Sequence, residues 1–197
     1  MRFVIALILL VLAGCDKESE PKGQAQPAST GQAGASDKAE ITLESANGMR
    51  ATLSYQFAGQ KAPSAPFADA QGQDVSLADF EGKPLLLNIW ATWCAPCKAE
   101  MPTLDTLAAS EKGRMNVIAV SQDLEGRAPV FAFFKETAVK NLVPYTDADN
   151  ALLTAFNNAI ALPTTILYDS DGKEVWRVAG GVEWDEAEMA KLLRAAD

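Results

Sequence analysis

Two cysteines three positions apart, within WCAPCKAEMP (residues 93–102), constrain the fold of this chain more than any other feature. The apolar run PLLLNIW (84–90) precedes them and MNVIAVS (115–121) follows, and each has the length and composition of a strand buried on both faces. The segment between the runs carries apolar residues at helical spacing, which predicts a helix from the cysteines to about Ser110. Strand, helix and strand in this order predict a right-handed parallel crossover with the cysteines at the helix N-terminus.

Helix and strand patterns continue to the end of the chain and predict an α/β protein. In order, they predict a helix (128–138), a short strand (141–145), a helix (150–159), a hairpin around an Asp-Gly turn (163–181) and a final helix (185–195). Ahead of these elements, the stretch MRATLSYQF alternates apolar and polar residues, which predicts an added edge strand.

The first fifteen residues, MRFVIALILLVLAGC, predict the compartment. Arg2 precedes an apolar run of eleven residues, which is typical of a signal peptide because a membrane span needs about 20. The closing LAGC resembles the lipobox of bacterial lipoproteins, which implies a lipid on Cys15 after removal of residues 1–14. The alternative is an ordinary secretory signal followed by an unrelated cysteine. Asp16 resembles an inner-membrane retention signal, so a lipid-anchored protein on the periplasmic side of a bacterial membrane is expected, with the inner membrane favoured.

The segment after the signal peptide is expected to be a flexible tether. From Asp16 to about Ala39 the chain has no aromatic or branched aliphatic side chain. Such a segment cannot bury enough apolar surface to offset its ordering entropy. The sequence therefore predicts three parts: a lipoprotein signal peptide (1–14), a tether (15–39) and a folded domain (40–197).

The cysteine pair has three possible interpretations: a metal site, a structural disulfide or a redox-active dithiol. Structural zinc takes four Cys or His ligands, whereas this chain has three cysteines and no histidine. A disulfide that closes so short a loop removes little entropy from the unfolded chain. Redox chemistry needs this spacing, because positions i and i+3 at a helix N-terminus face the same side. Cys94 meets the unpaired N–H groups that lower a thiol pKa, so Cys94 is predicted to be the nucleophile and Cys97 the resolving thiol.

The stretch LLLNIWATWCAPC (85–97), together with ALPTTILYD (161–169), resembles the thioredoxin superfamily, and in particular its TlpA/ResA-like membrane-anchored thiol-disulfide oxidoreductases. The resemblance covers about residues 62–181. It implies a thioredoxin-like three-layer α/β/α sandwich around a central mixed sheet, with an N-terminal extension and a helix–strand insertion before a cis-proline. That proline is Pro163, which is expected opposite the dithiol, with the backbone of Leu162 free to pair with an extended substrate.

The same resemblance assigns further residues near the dithiol. Trp93 is expected at the rim of the active site, with a place in the core as the alternative. Asn88 stands where cytosolic thioredoxins have a buried aspartate, and Glu100 stands where the cytochrome-maturation branch has an active-site acid. The alternative for Glu100 is a solvated surface residue. If Glu100 is buried, its pKa rises, and its carboxylate can accept the proton of Cys97 when a mixed disulfide is resolved.

Together these features predict an extracytoplasmic thiol-disulfide oxidoreductase that reduces protein disulfides without a cofactor or a metal. The resemblance implies apocytochrome c as the substrate class and an integral-membrane thiol carrier as the electron donor. The formal net charge of −9 argues against nucleic acid as a partner. Two alternatives stay open: a peroxiredoxin-like enzyme, and a non-enzymatic thioredoxin-fold lipoprotein or metallochaperone.

Overall fold

The computed structural model describes residues 40–157 and 160–196, so the predicted signal peptide, Cys15 and tether lie outside the described residues. Within the described ranges the chain forms one sheet of nine strands. The strands are β1 (Ile41–Glu44), β2 (Arg50–Ser54), β3 (Phe67–Ala68), β4 (Asp74–Val75), β5 (Leu85–Trp90), β6 (Asn116–Ser121), β7 (Pro144–Thr146), β8 (Thr164–Tyr168) and β9 (Glu174–Ala179). The helices are α1 (Ala95–Ser110), α2 (Arg127–Glu136), α3 (Ala151–Ala155) and α4 (Ala187–Leu193), with 3₁₀ turns at Leu77–Phe80 and Arg194–Ala196.

The sheet is mixed, as predicted, and its strand order is β1-β2-β9-β8-β5-β6-β7-β3-β4. The strands β5, β6 and β7 are parallel neighbours, whereas β8 is antiparallel to both β5 and β9. The two parallel steps run in the same direction along the sheet. Right-handed crossovers therefore place α1 and α2 on the same face.

Both faces of the sheet are covered, which explains why every residue of β5 is buried. On one face, Leu86 and Trp90 pack in the same apolar cluster as side chains from α1, α2 and α4. On the other face, Leu87 and Ile89 pack with Leu152 of α3. Helices thus lie on both sides of a central sheet, which confirms the predicted thioredoxin-like three-layer sandwich.

The predicted helix–strand insertion lies between β6 and Pro163 and consists of α2, β7 and α3. The helix α3 has five residues, fewer than the periodicity predicts. Asn150 and Asn157 bound it with left-handed backbone, at φ 53° and φ 57°, and a left-handed residue cannot continue an α-helix. The last helix is shorter than predicted as well, because it passes into a 3₁₀ turn after Leu193.

The prediction that MRATLSYQF forms an edge strand is wrong. Its strand, β2, lies second from the edge, hydrogen-bonded to β1 on one side and to β9 on the other. The edge strand is β1, a four-residue strand that sequence reasoning missed, and three of its residues are exposed. The N-terminal extension is therefore a two-stranded addition to the sheet.

Candidate active site

The two cysteines lie in the first turn of α1, directly after the central strand β5. They are joined by a disulfide bond, with their Cα atoms 5.3 Å apart. Cys94 has extended backbone and caps the helix: its Sγ accepts a hydrogen bond from the Cys97 N–H at 3.3 Å. The same N–H group can stabilise a thiolate on Cys94 once the disulfide is reduced. Cys94 is 6% exposed and Cys97 is fully buried, so an approaching sulfur atom reaches Cys94 first.

A buried carboxylate holds the loop that leads into the cysteines. Asp123, just after β6, accepts hydrogen bonds from the Thr92 backbone N–H at 2.9 Å and from the Thr92 hydroxyl at 2.6 Å. The Ser121 hydroxyl also donates to this carboxylate. Because Thr92 lies two residues before Cys94, these bonds fix the entry to α1 relative to β6. Sequence reasoning missed this clamp.

The structure excludes a surface position for Glu100, because its side chain on α1 is completely buried. Its Oε1 accepts a hydrogen bond from Asn88 Nδ2 at 2.7 Å, and its Oε2 accepts one from the Val182 N–H at 3.1 Å. Burial raises the pKa of Glu100 to about 8, although both hydrogen bonds favour the ionised form and act in the opposite direction. Both protonation states of this carboxyl group are therefore accessible near neutral pH.

Asn88 connects Glu100 to the strand that carries the proline. Its Nδ2 donates a second hydrogen bond to Thr165 Oγ1 on β8, at 2.9 Å. The Leu162–Pro163 bond just ahead of this strand is cis, as the resemblance implies. The Pro163 carbonyl accepts a hydrogen bond from the Gly180 N–H at 2.8 Å, so the proline is also tied to the loop after β9.

An open groove of about 700 Å³ adjoins Cys94. Its lining includes Trp93, Cys94, Gln122, Leu124, Leu153 and Leu162. Of the described residues that line the groove, none is charged. Trp93 and Leu124 are each 67% exposed and form its rim, whereas Trp90 lies in the core.

The groove joins residues that sequence reasoning selected to residues that it missed. Trp93 and Leu162 were expected beside the dithiol, and both line the groove with Cys94. Leu124 and Leu153 were not expected there, because they come from the insertion between β6 and β8. A pattern in the sequence could have drawn attention to Leu124, an apolar residue in the polar stretch after β6.

Comparison with known proteins gives the class of this site. Residues 57–193 match the family model Redoxin, and the chain belongs to this family. It is 36% identical over 124 residues to the thiol-disulfide oxidoreductase ResA of Bacillus thuringiensis subsp. konkukian, an alignment that covers 62% of this chain and 69% of the relative. ResA of Bacillus subtilis is 35% identical over 123 residues, covering 62% of this chain and 67% of the relative.

A solved structure supports the same class of protein. A Chlorobium tepidum protein assigned as the thiol:disulfide interchange protein DsbE superposes with a TM-score of 0.62 at 26% identity, covering 71% of this chain and 98% of that chain. With a disulfide-bonded Cys-x-x-Cys pair at the start of α1, the protein is a thiol-disulfide oxidoreductase. This result favours the enzyme over the non-enzymatic alternative.

None of the helices in residues 40–157 and 160–196 has the length and apolar character of a membrane span.

Proposed function

We propose that this enzyme reduces protein disulfides outside the cytoplasm. The Cys94 thiolate attacks one sulfur of a substrate disulfide, forms a mixed disulfide and releases the first substrate thiolate. The Cys97 thiolate then attacks the Cys94 sulfur, which re-forms the Cys94–Cys97 disulfide and releases the second substrate thiolate. Two electrons pass to the substrate, and a thiol donor must reduce the enzyme again. The order of attack, Cys94 before Cys97, rests on one observation. Cys94 is 6% exposed beside the groove, whereas Cys97 is fully buried.

Glu100 is proposed to accept the proton of Cys97 during the second step. It lies one helical turn after Cys97 and, like Cys97, is fully buried. A carboxyl group with a pKa of about 8 matches a thiol better than an ordinary glutamate, because proton transfer is most efficient when the two pKa values are close. The chain has no histidine that could take this role.

Trp93, Leu162 and Pro163 are proposed to bind the substrate. The groove is apolar and open along one side of Cys94, which suits an extended polypeptide with apolar residues next to its cystine. A trapped complex tests that the substrate joins the enzyme at Cys94, beside these residues. Cys97→Ser should accumulate mixed disulfides with protein substrates, whereas Cys94→Ser should form none.

The three-part organisation is proposed as well: a signal peptide at 1–14, a tether at 15–39 and the enzyme domain from 40 to 197. A lipid on Cys15 would hold the domain at the periplasmic side of the inner membrane. A Streptococcus pneumoniae structure described as an exposed lipoprotein thioredoxin supports the lipid anchor, with 25% identity and a TM-score of 0.53 over 66% of this chain and 96% of that chain. Intact mass spectrometry of the native protein tests it, and an unmodified Cys15 contradicts it.

The proposed substrate class is apocytochrome c, and the proposed electron donor is an integral-membrane thiol carrier. Support comes from Glu100, which stands where the cytochrome-maturation branch has an active-site acid. The direction is tested by equilibration with glutathione buffers. A potential near that of thioredoxin, about −270 mV, supports a reductase, whereas a value near about −120 mV identifies an oxidant and overturns the proposal. An apocytochrome c peptide with its two cysteines oxidised should then be reduced, and an unrelated cystine peptide should react more slowly.

A further inference from the structure

The Asn88 side chain on β5 is fully buried and has no access to solvent. Its Nδ2 donates to both Glu100 and Thr165, at 2.7 Å and 2.9 Å. Its Oδ1 has no hydrogen-bond partner among the described residues. One end of the amide therefore makes two bonds and the other end makes none, which is unusual because buried polar atoms are nearly always paired.

The chemistry proposed for Glu100 requires the group next to it to change role. An ionised carboxylate only accepts hydrogen bonds, whereas a carboxylic acid also donates one. The Val182 N–H can serve only as a donor. A carboxamide carries a donor and an acceptor at two ends of almost the same size, so half a turn about its last bond exchanges them.

We propose that the Asn88 side-chain amide rotates by half a turn about its last bond when Glu100 gains a proton. Asn88 is then a positioning residue for both protonation states of Glu100. This inference rests on the proposed role of Glu100. With Glu100 ionised, Asn88 Nδ2 donates to its Oε1, as observed. With Glu100 protonated, the carboxyl O–H donates to Asn88 Oδ1, and no covalent bond other than the O–H bond changes.

Thr165 is suited to the same exchange. Its hydroxyl accepts the hydrogen bond from Asn88 Nδ2 in the observed orientation. After the turn it can donate its own proton to Asn88 Oδ1, since a hydroxyl is both a donor and an acceptor. The amide then keeps two bonds in each orientation and leaves one end unpaired in each. The two orientations are therefore balanced, and the protonation of Glu100 decides between them.

Among the groups around Glu100, only Asn88 can offer it either a donor or an acceptor. The groups that contact it are Asn88 on β5, and the Val182 N–H and Trp184 indole from the segment after β9. Cys97 lies one turn before it on the same helix. Of these, only the Cys97 thiol titrates, and it does not do so in the disulfide form. Burial and hydrogen bonds account for the shifted Glu100 pKa, and no cation of the described residues contributes to it.

The test follows both side chains by NMR in the disulfide form, where the readout is independent of catalysis. The Glu100 carboxyl carbon gives its titration, and the Asn88 side-chain nitrogen and its protons report the amide. Without the turn, the Nδ2 proton bonded to Thr165 would keep that bond at every pH. We therefore expect both Nδ2 protons to lose their hydrogen-bonded shifts, with the same midpoint, as Glu100 gains its proton. In Glu100→Gln they should stay constant over the same pH range. Asn88 signals that ignore the Glu100 titration in the parent protein overturn the inference.

Three variants test the role of Asn88 further. Asn88→Ala should raise the Glu100 pKa by about one, because a hydrogen bond to an ionised group is stronger than one to a neutral group. Asn88→Asp places two carboxyl groups in contact, so the pair should keep one proton to a higher pH than Glu100 alone in the parent. Thr165→Val, the matched control, removes the other partner of the same amide and should leave the Asn88 signals titrating with Glu100.

The outcomes separate the two proposals. If Glu100→Gln resolves mixed disulfides at the parent rate, the base role is wrong, whatever the NMR titration shows. If that variant is slow but the Asn88 amide signals do not follow the Glu100 titration, the base role of Glu100 stands. The proposed rotation of the Asn88 amide is then wrong. Near-ultraviolet circular dichroism of each variant identifies any that has lost its fold.

Discussion

The two sulfur atoms of one helical turn lie in opposite surroundings. Cys94 borders an open groove whose lining is uncharged and largely apolar. Cys97 is fully buried, one turn before a buried, hydrogen-bonded carboxyl group. The difference supports the proposed division of work within four residues: the side of Cys94 binds the substrate, and the side of Cys97 takes up the proton during resolution. Changes on the two sides should therefore alter different steps.

The largest effect is expected from the cysteines themselves. Cys94→Ser should abolish turnover, because no thiolate then reaches the substrate disulfide. Cys97→Ser should abolish turnover as well but keep the first step, so one enzyme molecule becomes trapped per substrate. Non-reducing gel electrophoresis after acid quenching distinguishes the two. A trapped complex with Cys94→Ser would reverse the assignment.

The next effect concerns the buried side. Glu100→Gln should form the mixed disulfide at the parent rate but resolve it ~10²- to 10⁴-fold more slowly at pH 7, because it lacks the base. The resolution rate of the parent should rise with pH through the Glu100 pKa of about 8. The defect of the variant should shrink at alkaline pH, where Cys97 ionises unaided. Single-turnover kinetics over pH check this, and parent-like resolution at pH 7 contradicts it.

The same group should make stability depend on pH. Burial raises the Glu100 pKa from 4.5 to about 8 in the folded protein, so the folded state holds this proton more tightly than the unfolded state. The resulting stabilisation is complete below the unfolded pKa and is lost as pH rises through the folded pKa. The free energy of unfolding of the parent should therefore fall over this range relative to Glu100→Gln. Denaturant unfolding of both proteins at several pH values measures it, and parallel curves would count against it.

A smaller effect is expected on the groove side. Trp93→Ala or Leu124→Ala removes an exposed apolar side chain from the rim and should lower kcat/KM for protein disulfides by about tenfold, a loss of ~1.4 kcal/mol. Reduction of a small aromatic disulfide should change little, since it needs only Cys94. The matched control is Phe131→Ala, which removes an apolar side chain that is 44% exposed on α2 and does not line the groove. A loss of the same size in the control would show that the groove does not select substrates.

The parts of the site also differ in how far the sequence predicts them. The cysteine pair was predicted because its chemistry depends on spacing within one turn of helix. Strand β5 was predicted for a similar reason, since burial on both faces leaves a continuous apolar run. Glu100 was selected by its position after Cys97, but one of its hydrogen-bond donors is the N–H of Val182, 82 residues further along the chain.

Contacts between distant segments left no local signal. Thr92 and Asp123 meet across 31 residues, and neither belongs to a periodic pattern. The strand β1 joins the sheet through backbone hydrogen bonds to β2, and the alternation of its four residues, ITLE, is too short to stand out in the sequence. Such features follow from the assembled fold, because backbone pairing and buried carboxylates do not constrain the nearby sequence strongly.

The smallest catalytic effect is expected from this clamp, which lies on neither side of the comparison. Thr92→Val removes the hydroxyl that donates to the buried Asp123 carboxylate but keeps the shape of the side chain and the backbone bond. The lost bond should lower the free energy of unfolding by ~1–3 kcal/mol, because the remaining acceptor is buried. Turnover should change by about twofold or less, since the backbone N–H still holds the loop. Thr92→Ser keeps the hydroxyl and should lie close to the parent in stability. If Thr92→Val instead slowed both the attack by Cys94 and the resolution by Cys97 more than tenfold, the clamp would be part of the machinery that separates the two sides.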